Sequence, residues 1–279
     1  NSALVHSNLG DPAEELRLYL LARQAFDKAG DLAGIATTSS NIGTIYVETG
    51  QKEEAEAAYQ QALAFAIEAG KELGQANALL NLGELALNQG EPERALELLR
   101  RSLEIHLTLD GYQTRLIDVY FPLGEAWTAL GDDSRALDYH RRALALATEL
   151  DDQQRQIIAW SKIALVHRRR GELDTAIGLL EQAVEVAREQ RYIYDLRWCL
   201  HDLQQAYAEA GRYRQAYEAL EEYEALNSES LGKESRRAIA EMQAGFEAAE
   251  REKAIELLEI DQALQRAELD SQRNLRRGL

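Results

Sequence analysis

Five histidines, one cysteine and 48 carboxylates are the side chains of this 279-residue chain best suited to moving protons, attacking as nucleophiles or holding a metal. The histidines are His6, His106, His140, His167 and His201, and none has a partner at metal-ligand spacing on a shared helix. Each therefore reads as a core or surface histidine rather than as a general acid or base. Cys199 stands alone inside the apolar run Trp198-Cys199-Leu200, so neither an intrachain disulfide nor a cysteine zinc site can form, and it reads as a small core residue. The carboxylates are too numerous for any pair to stand out. No GxxxxGK[ST] phosphate loop, GxSxG elbow, HExxH helix or EF-hand loop is present. These residues imply no catalytic site, no metal and no cofactor in this chain, and direct attention to surfaces.

The elements that would present such surfaces are announced by glycine. Gly10, Gly50, Gly90, Gly131, Gly171 and Gly211 are separated by 40, 40, 41, 40 and 40 residues. Alanine follows five residues after each of the last five, at Ala55, Ala95, Ala136, Ala176 and Ala216. A small residue stands seven before four of them, at Gly43, Gly83, Gly124 and Ala164. A single core has no reason to repeat its punctuation, whereas a stack of identical helical hairpins repeats one turn and one close helix crossing. Around Gly90, the residues Ala76, Leu79, Leu80, Leu82, Leu85, Ala86 and Leu87 have helical spacing, and Ala95, Leu96, Leu98, Leu99, Leu103 and Ile105 carry a second helix. Gly90 suits a left-handed helix end, and Pro92 suits the first turn of the next helix. The same reading predicts first helices near 33–49, 73–89, 114–130, 154–170 and 194–210, and second helices near 12–29, 52–69, 92–109, 133–149, 173–190 and 213–226. Small residues at Gly43, Gly83, Gly124 and Ala164 are expected to face Ala55, Ala95, Ala136 and Ala176 and let the paired helices approach. The chain begins with Asn1 partway through a unit, so at least one further helix is expected before it.

Two segments, NIGTIYVETGQKEEAEAAYQQALAFA and NLGELALNQGEPERALELLRRSLEI, resemble tetratricopeptide repeats, and the likeness recurs six times over residues 1–226. It departs from the family in its period of about 40 rather than about 34 residues, in lacking the proline that ends the second helix, and in Gln204 at the small-residue position. The resemblance implies an all-α fold: a right-handed α-α superhelix of about six hairpins over 1–226, followed by a long coiled-coil-like helix over 227–279. It also implies that first helices line a concave face. Inward positions are then Thr37, Ser40 and Thr44; Asn77, Leu80 and Glu84; Asp118, Phe121 and Glu125; Ser161 and Arg168; and Trp198 and His201. That mixture suits an extended protein or peptide ligand. Two features compete with it. Tyr192, Tyr194, Trp198, Tyr207, Tyr213, Tyr217 and Tyr223 cluster in the sixth unit, where helical spacing reads as core or as a binding patch. His167-Arg168-Arg169-Arg170 is a dense basic run that reads either as a helix end or as an anion site.

A formal net charge of −17 argues against a nucleic-acid partner. Charges interrupt every apolar run well before the length of a membrane span, so any membrane link must come from a segment outside this chain. After Asn227 the pattern changes. Ile239, Phe246, Leu257, Leu264 and Leu275, with Met242 beside them, are spaced by mixed sevens and elevens. Such a seam fits either a two-stranded coiled coil and hence a homodimer, or a helix that caps the solenoid. The stretch RRAIAEMQAGFEAAEREKAIELLEIDQALQRAELDSQRNLRRGL resembles the helix that follows tetratricopeptide repeats in bacterial membrane sensors. That likeness implies a non-catalytic, periplasmic sensory region of an inner-membrane protein, with a diguanylate cyclase (GGDEF) or histidine kinase output. The alternative is a soluble cytoplasmic adaptor or peptide receptor.

Overall fold

A computed structural model describes residues 11–109, 111 and 113–227, and among them every regular element is a helix. In chain order these are α1 (Pro12–Ala29), α2 (Leu32–Glu48), α3 (Lys52–Glu68), α4 (Glu72–Asn88), α5 (Pro92–Thr108), α6 (Gln113–Ala129), α7 (Asp133–Glu149), α8 (Gln153–Arg169), α9 (Leu173–Glu189) and α10 (Ile193–Glu209). The backbone over 213–227 is helical as well. The chain divides into two compact units, Asn1–Leu220 and Glu221–Leu279. Of the second, only 221–227 lie within the described residues. Ile239, Met242, Phe246, Leu257, Leu264 and Leu275, proposed from the sequence as a dimer seam, lie outside them.

The period has a simple origin. Each helix from α2 to α10 is 17 residues long, and three-residue turns separate most of them. Two such helices and two such turns make forty residues. The single 41-residue spacing arises because the turn between α5 and α6 has four residues, 109–112. Starts and stops are chemically explicit. The Asp132 carboxylate accepts a hydrogen bond from the Arg135 N–H at 3.0 Å, and Asp152 does the same for Arg155 at 3.0 Å. Pro92 opens α5 where a missing N–H costs nothing. Gly90 ends α4 with φ +78°, while the Glu91 N–H reaches back to the Ala86 carbonyl at 2.9 Å. The helix predicted over 114–130 is observed as Gln113–Ala129, and it runs through Pro122.

Packing within each hairpin depends on one recurring contact. The sequence paired Gly83 with Ala95; in the fold the direct neighbour is Leu99. A β-carbon on Gly83 would meet Leu99 Cγ at 2.6 Å, with the Ala95 carbonyl oxygen further off at 3.5 Å. Leu99 stands seven residues after the start of α5, and the same register holds Tyr59, His140 and Leu180. Tyr59 fills the space over Gly43, and His140 the space over Gly124. Ala55, Ala95, Ala136 and Ala176 are fully buried where the paired helices cross. In the sixth hairpin Gln204 stands at the small-residue position, and Leu220, in the matching register, is 39% exposed.

Successive hairpins stack through α3 on α4, α5 on α6, α7 on α8 and α9 on α10. In addition α2 touches α4, α4 touches α6, α6 touches α8 and α8 touches α10, with no comparable contact among α3, α5, α7 and α9. Helices that approach one another lie on the inside of the curve, so α2, α4, α6, α8 and α10 form the inner wall. Core clusters follow this stack, one of them joining Leu80, Leu99, Leu123, Trp127, Leu137 and Ile163 across three hairpins.

Candidate functional site

The inner wall is built from equivalent positions on five parallel helices, so a residue on one helix meets its neighbour about one repeat later. Asn81 Nδ2 donates to Ser40 Oγ at 3.0 Å, joining α4 to α2. Arg155 holds Asp118 through its Nη2 at 2.9 Å and its Nε at 3.1 Å, joining α8 to α6. Lys162 Nζ lies 2.5 Å from Glu125 Oε1 across the same seam. Between α8 and α10, Gln154 donates to Asp195 at 3.1 Å, Ser161 Oγ lies 3.3 Å from Cys199 Sγ, and Arg168 Nε lies 3.5 Å from Glu209. These bonds are partly solvated and fix the register of adjacent helices more than they add stability.

The sequence-selected residues divide on this wall. Thr37, Thr44 and Glu84 are exposed; Ser40, Asn77, Asp118, Phe121, Glu125, Ser161, Arg168 and His201 are half-buried. Leu80 is buried in the core, so it supports the wall from behind. Thr44 is engaged with the Tyr59 hydroxyl at 3.2 Å. Trp198 is 45% exposed on α10, with the His201 ring edge-on at a centroid distance of 6.5 Å. Leu165 on α8 is exposed as well, and Ser161, Leu165, Arg168 and Asp202 line one shallow depression. Asn81, Gln154, Arg155, Lys162 and Asp195 were missed. Asn81 and Lys162 stand next to the selected Leu80 and Ser161, Asp195 stands three before Trp198, and Gln154 and Arg155 lie seven and six before Ser161, all within the wide face that a helix turns toward its neighbours; opposite charges one repeat apart were the signal that could have found the charged ones.

The aromatic group of the sixth unit does not form one patch. Tyr207 is buried, and Tyr213 and Tyr217 are exposed on the helix after α10. The basic run is occupied by partners within the stack. His167 Nδ1 lies 2.5 Å from Glu172, Arg169 donates to the Thr128 carbonyl at 2.5 Å and Arg170 lies 3.0 Å from Glu172. It is a helix end, where cations are favourable.

Electrostatics distinguish three positions on or behind the inner wall. Glu84 is reached by water yet set on the concave side with protein around it. Loss of hydration, followed by the like charges of Glu125 and Asp118, pushes its carboxyl up to about 7. Behind the wall, burial pushes His140 down to about 4, with Lys162 adding to the effect. Burial pushes the Cys199 thiol up to about 12, which makes it a poor nucleophile. Among the described residues no group of three or more His, Cys, Asp or Glu is arranged to hold a metal, and no helix is long and apolar enough to cross a membrane.

Comparison with known proteins agrees with this architecture. The tetratricopeptide repeat family matches residues 1–68, 74–149 and 155–229. The chain therefore belongs to the tetratricopeptide repeat family, whose fold is a non-catalytic scaffold. No curated protein matches it. Among solved structures, BtubC (BKLC) from P. vanneervenii is similar at 18% identity, with a TM-score of 0.68 over 80% of this chain and 94% of that one. A putative kinesin light chain from Podosopora anserina is 20% identical, with a TM-score of 0.58 over 70% of this chain and 95% of that one. A Rap protein complexed with Competence and Sporulation Factor is 16% identical, with a TM-score of 0.56 over 77% of this chain and 70% of that one. These likenesses describe the fold.

Proposed function

We propose that the solenoid is a receptor surface for an extended protein or peptide segment lying along the inner wall. The observation that carries this reading is the run of accessible, chemically varied side chains on helices locked in register: Thr37 on α2, Glu84 on α4, Leu165 on α8 and Trp198 on α10. Rigid placement lowers the entropic cost of binding, and repeated positions suit a repeated backbone. The Rap protein complexed with Competence and Sporulation Factor supports the same reading by analogy of fold. A photo-crosslinking residue at Thr37, Leu165 or Trp198 should capture a bound segment, whereas one at Ile67 or Leu107, exposed on α3 and α5, should not. Equal capture from both faces overturns the reading.

We further propose that the solenoid is the sensory part of a bacterial signalling protein: a periplasmic region, a homodimer through residues 233–277, and a diguanylate cyclase output. The resemblance of residues 236–279 to sensor linkers supports this. A run of about 20 apolar residues shortly after Leu279 in the full-length protein is the expected result. A stop or a polar tail there refutes the membrane arrangement and leaves a soluble receptor.

A further inference from the structure

Resting on the groove reading above, we infer that the segment bound along the inner wall is basic and apolar, with a lysine or arginine side chain seated at Glu84 and large apolar side chains seated separately at Leu165 and at Trp198. The charge pattern of the wall singles out the first position. Glu84 and Glu125 each stand twelve residues after the first residue of their helices, α4 and α6. Glu125 is closed off by Lys162, which stands nine residues into α8. The residue nine into α6 is Pro122, which carries no charge. The α4–α6 seam thus lacks the cation that closes the α6–α8 seam. Asp118 is held by Arg155 and, at 3.5 Å, by Arg115. Among the described residues no ion pair engages Glu84.

Pro122 has a second effect in the same place. Without an N–H it leaves the Asp118 carbonyl without its intrahelical donor, adding an acceptor beside the carboxylates. A protonated amine or guanidinium brings the positive charge and several N–H donors that this seam lacks. The like-charge repulsion that raises the proton affinity of Glu84 would be relieved by the same cation.

The apolar positions rest on a separate observation. Trp198 at 45% exposure and Leu165 at 37% are large apolar residues left open on the inner helices α10 and α8. Exposed apolar side chains on a rigid concave surface mark binding anchors. With a formal charge of −17 the molecule also attracts basic segments at long range, which raises encounter rates without selecting a site.

The test is to pan a random dodecapeptide display library against the whole chain, against Glu84→Lys, and against Glu104→Lys, an exposed position on α5 with the same change in net charge. Peptides selected by the parent should be enriched at least threefold in Lys and Arg and should carry a large apolar residue. That enrichment should survive Glu104→Lys and vanish in Glu84→Lys, and Trp198→Ala should weaken the selected peptides at least fivefold. Basic enrichment lost equally in both lysine variants overturns the inference, since net charge alone explains it. Peptides that need Trp198 but show no basic enrichment overturn it as well and leave the groove reading standing. A library that yields no binder overturns both.

Discussion

Replacing His140 by leucine tests how this solenoid tolerates a polar residue at its tightest contact. His140 is 1% exposed, its ring fills the space over Gly124, and its Nδ1 has no hydrogen-bond partner. Leu99 and Leu180 occupy the same register in α5 and α9, so leucine already fits this position elsewhere in the stack. At pH 8 the variant should gain about 1–2 kcal/mol, because an orphaned buried acceptor or donor is removed. Acid should widen the gap. The folded pKa is depressed from 6.5 to about 4, so between those values the unfolded chain takes up a proton that the native state refuses. The stability contributed by neutral His140 is complete above pH 6.5 and is lost as pH falls toward 4. The fully expressed difference is about 3 kcal/mol, of which about 2 kcal/mol is already gone at pH 5. Urea unfolding of parent and variant at pH 8 and pH 5 reads this directly, because the other titrating groups cancel in the variant-minus-parent difference. A gap that stays the same at both pH values refutes the reasoning, and so does a variant less stable than the parent at pH 8.

Glycine substitutions should divide by the space they meet. Gly83→Ala forces a β-carbon into Leu99 and should cost about 1–3 kcal/mol, whereas Gly178→Ala, with nothing within 4 Å on the surface of α9, should gain about 1 kcal/mol; thermal melts of the two variants check the signs. Asp151 and Arg191 hold φ of 53° and 58° at turns where Gly30 and Gly70 stand in earlier repeats, so Arg191→Gly should raise the unfolding free energy by about 1 kcal/mol, read as a higher midpoint in denaturant titration. The raised Glu84 pKa means that its contribution to stability is present below about pH 4.5 and lost as pH rises through about 7; carbon-detected NMR of its carboxyl should show a midpoint near 7, and Arg substituted for Pro122 should lower that midpoint. A chain ending at Asn227 should sediment as a monomer while the whole chain sediments as a dimer; a dimer that persists after truncation moves the interface into the repeats.

Much of the fold is written in local signals. Glycine every forty residues, aspartate or proline at helix starts and alanine at the crossings each act within a few residues, so the helices and their pairing can be read from the chain alone. The departures are equally local: the odd 41-residue spacing is one extra residue in one turn. The wall was legible only in part. The stripe containing Thr37, Glu84, Glu125 and Trp198 follows from helical geometry once the family resemblance names the inner helices. That Arg155 would hold Asp118, that Lys162 would close Glu125 and that Pro122 would leave Glu84 open could not be read the same way, because those partners lie about forty residues apart in sequence and meet only when hairpins stack at a particular angle. The same holds for His140, which looks like any other histidine in the sequence and becomes a buried neutral ring only because Gly124 on the facing helix leaves it the space. Local chemistry determined where the chain turns and which helices pair; the stacking of those pairs decided which charges are matched, which are left open, and where a partner could bind.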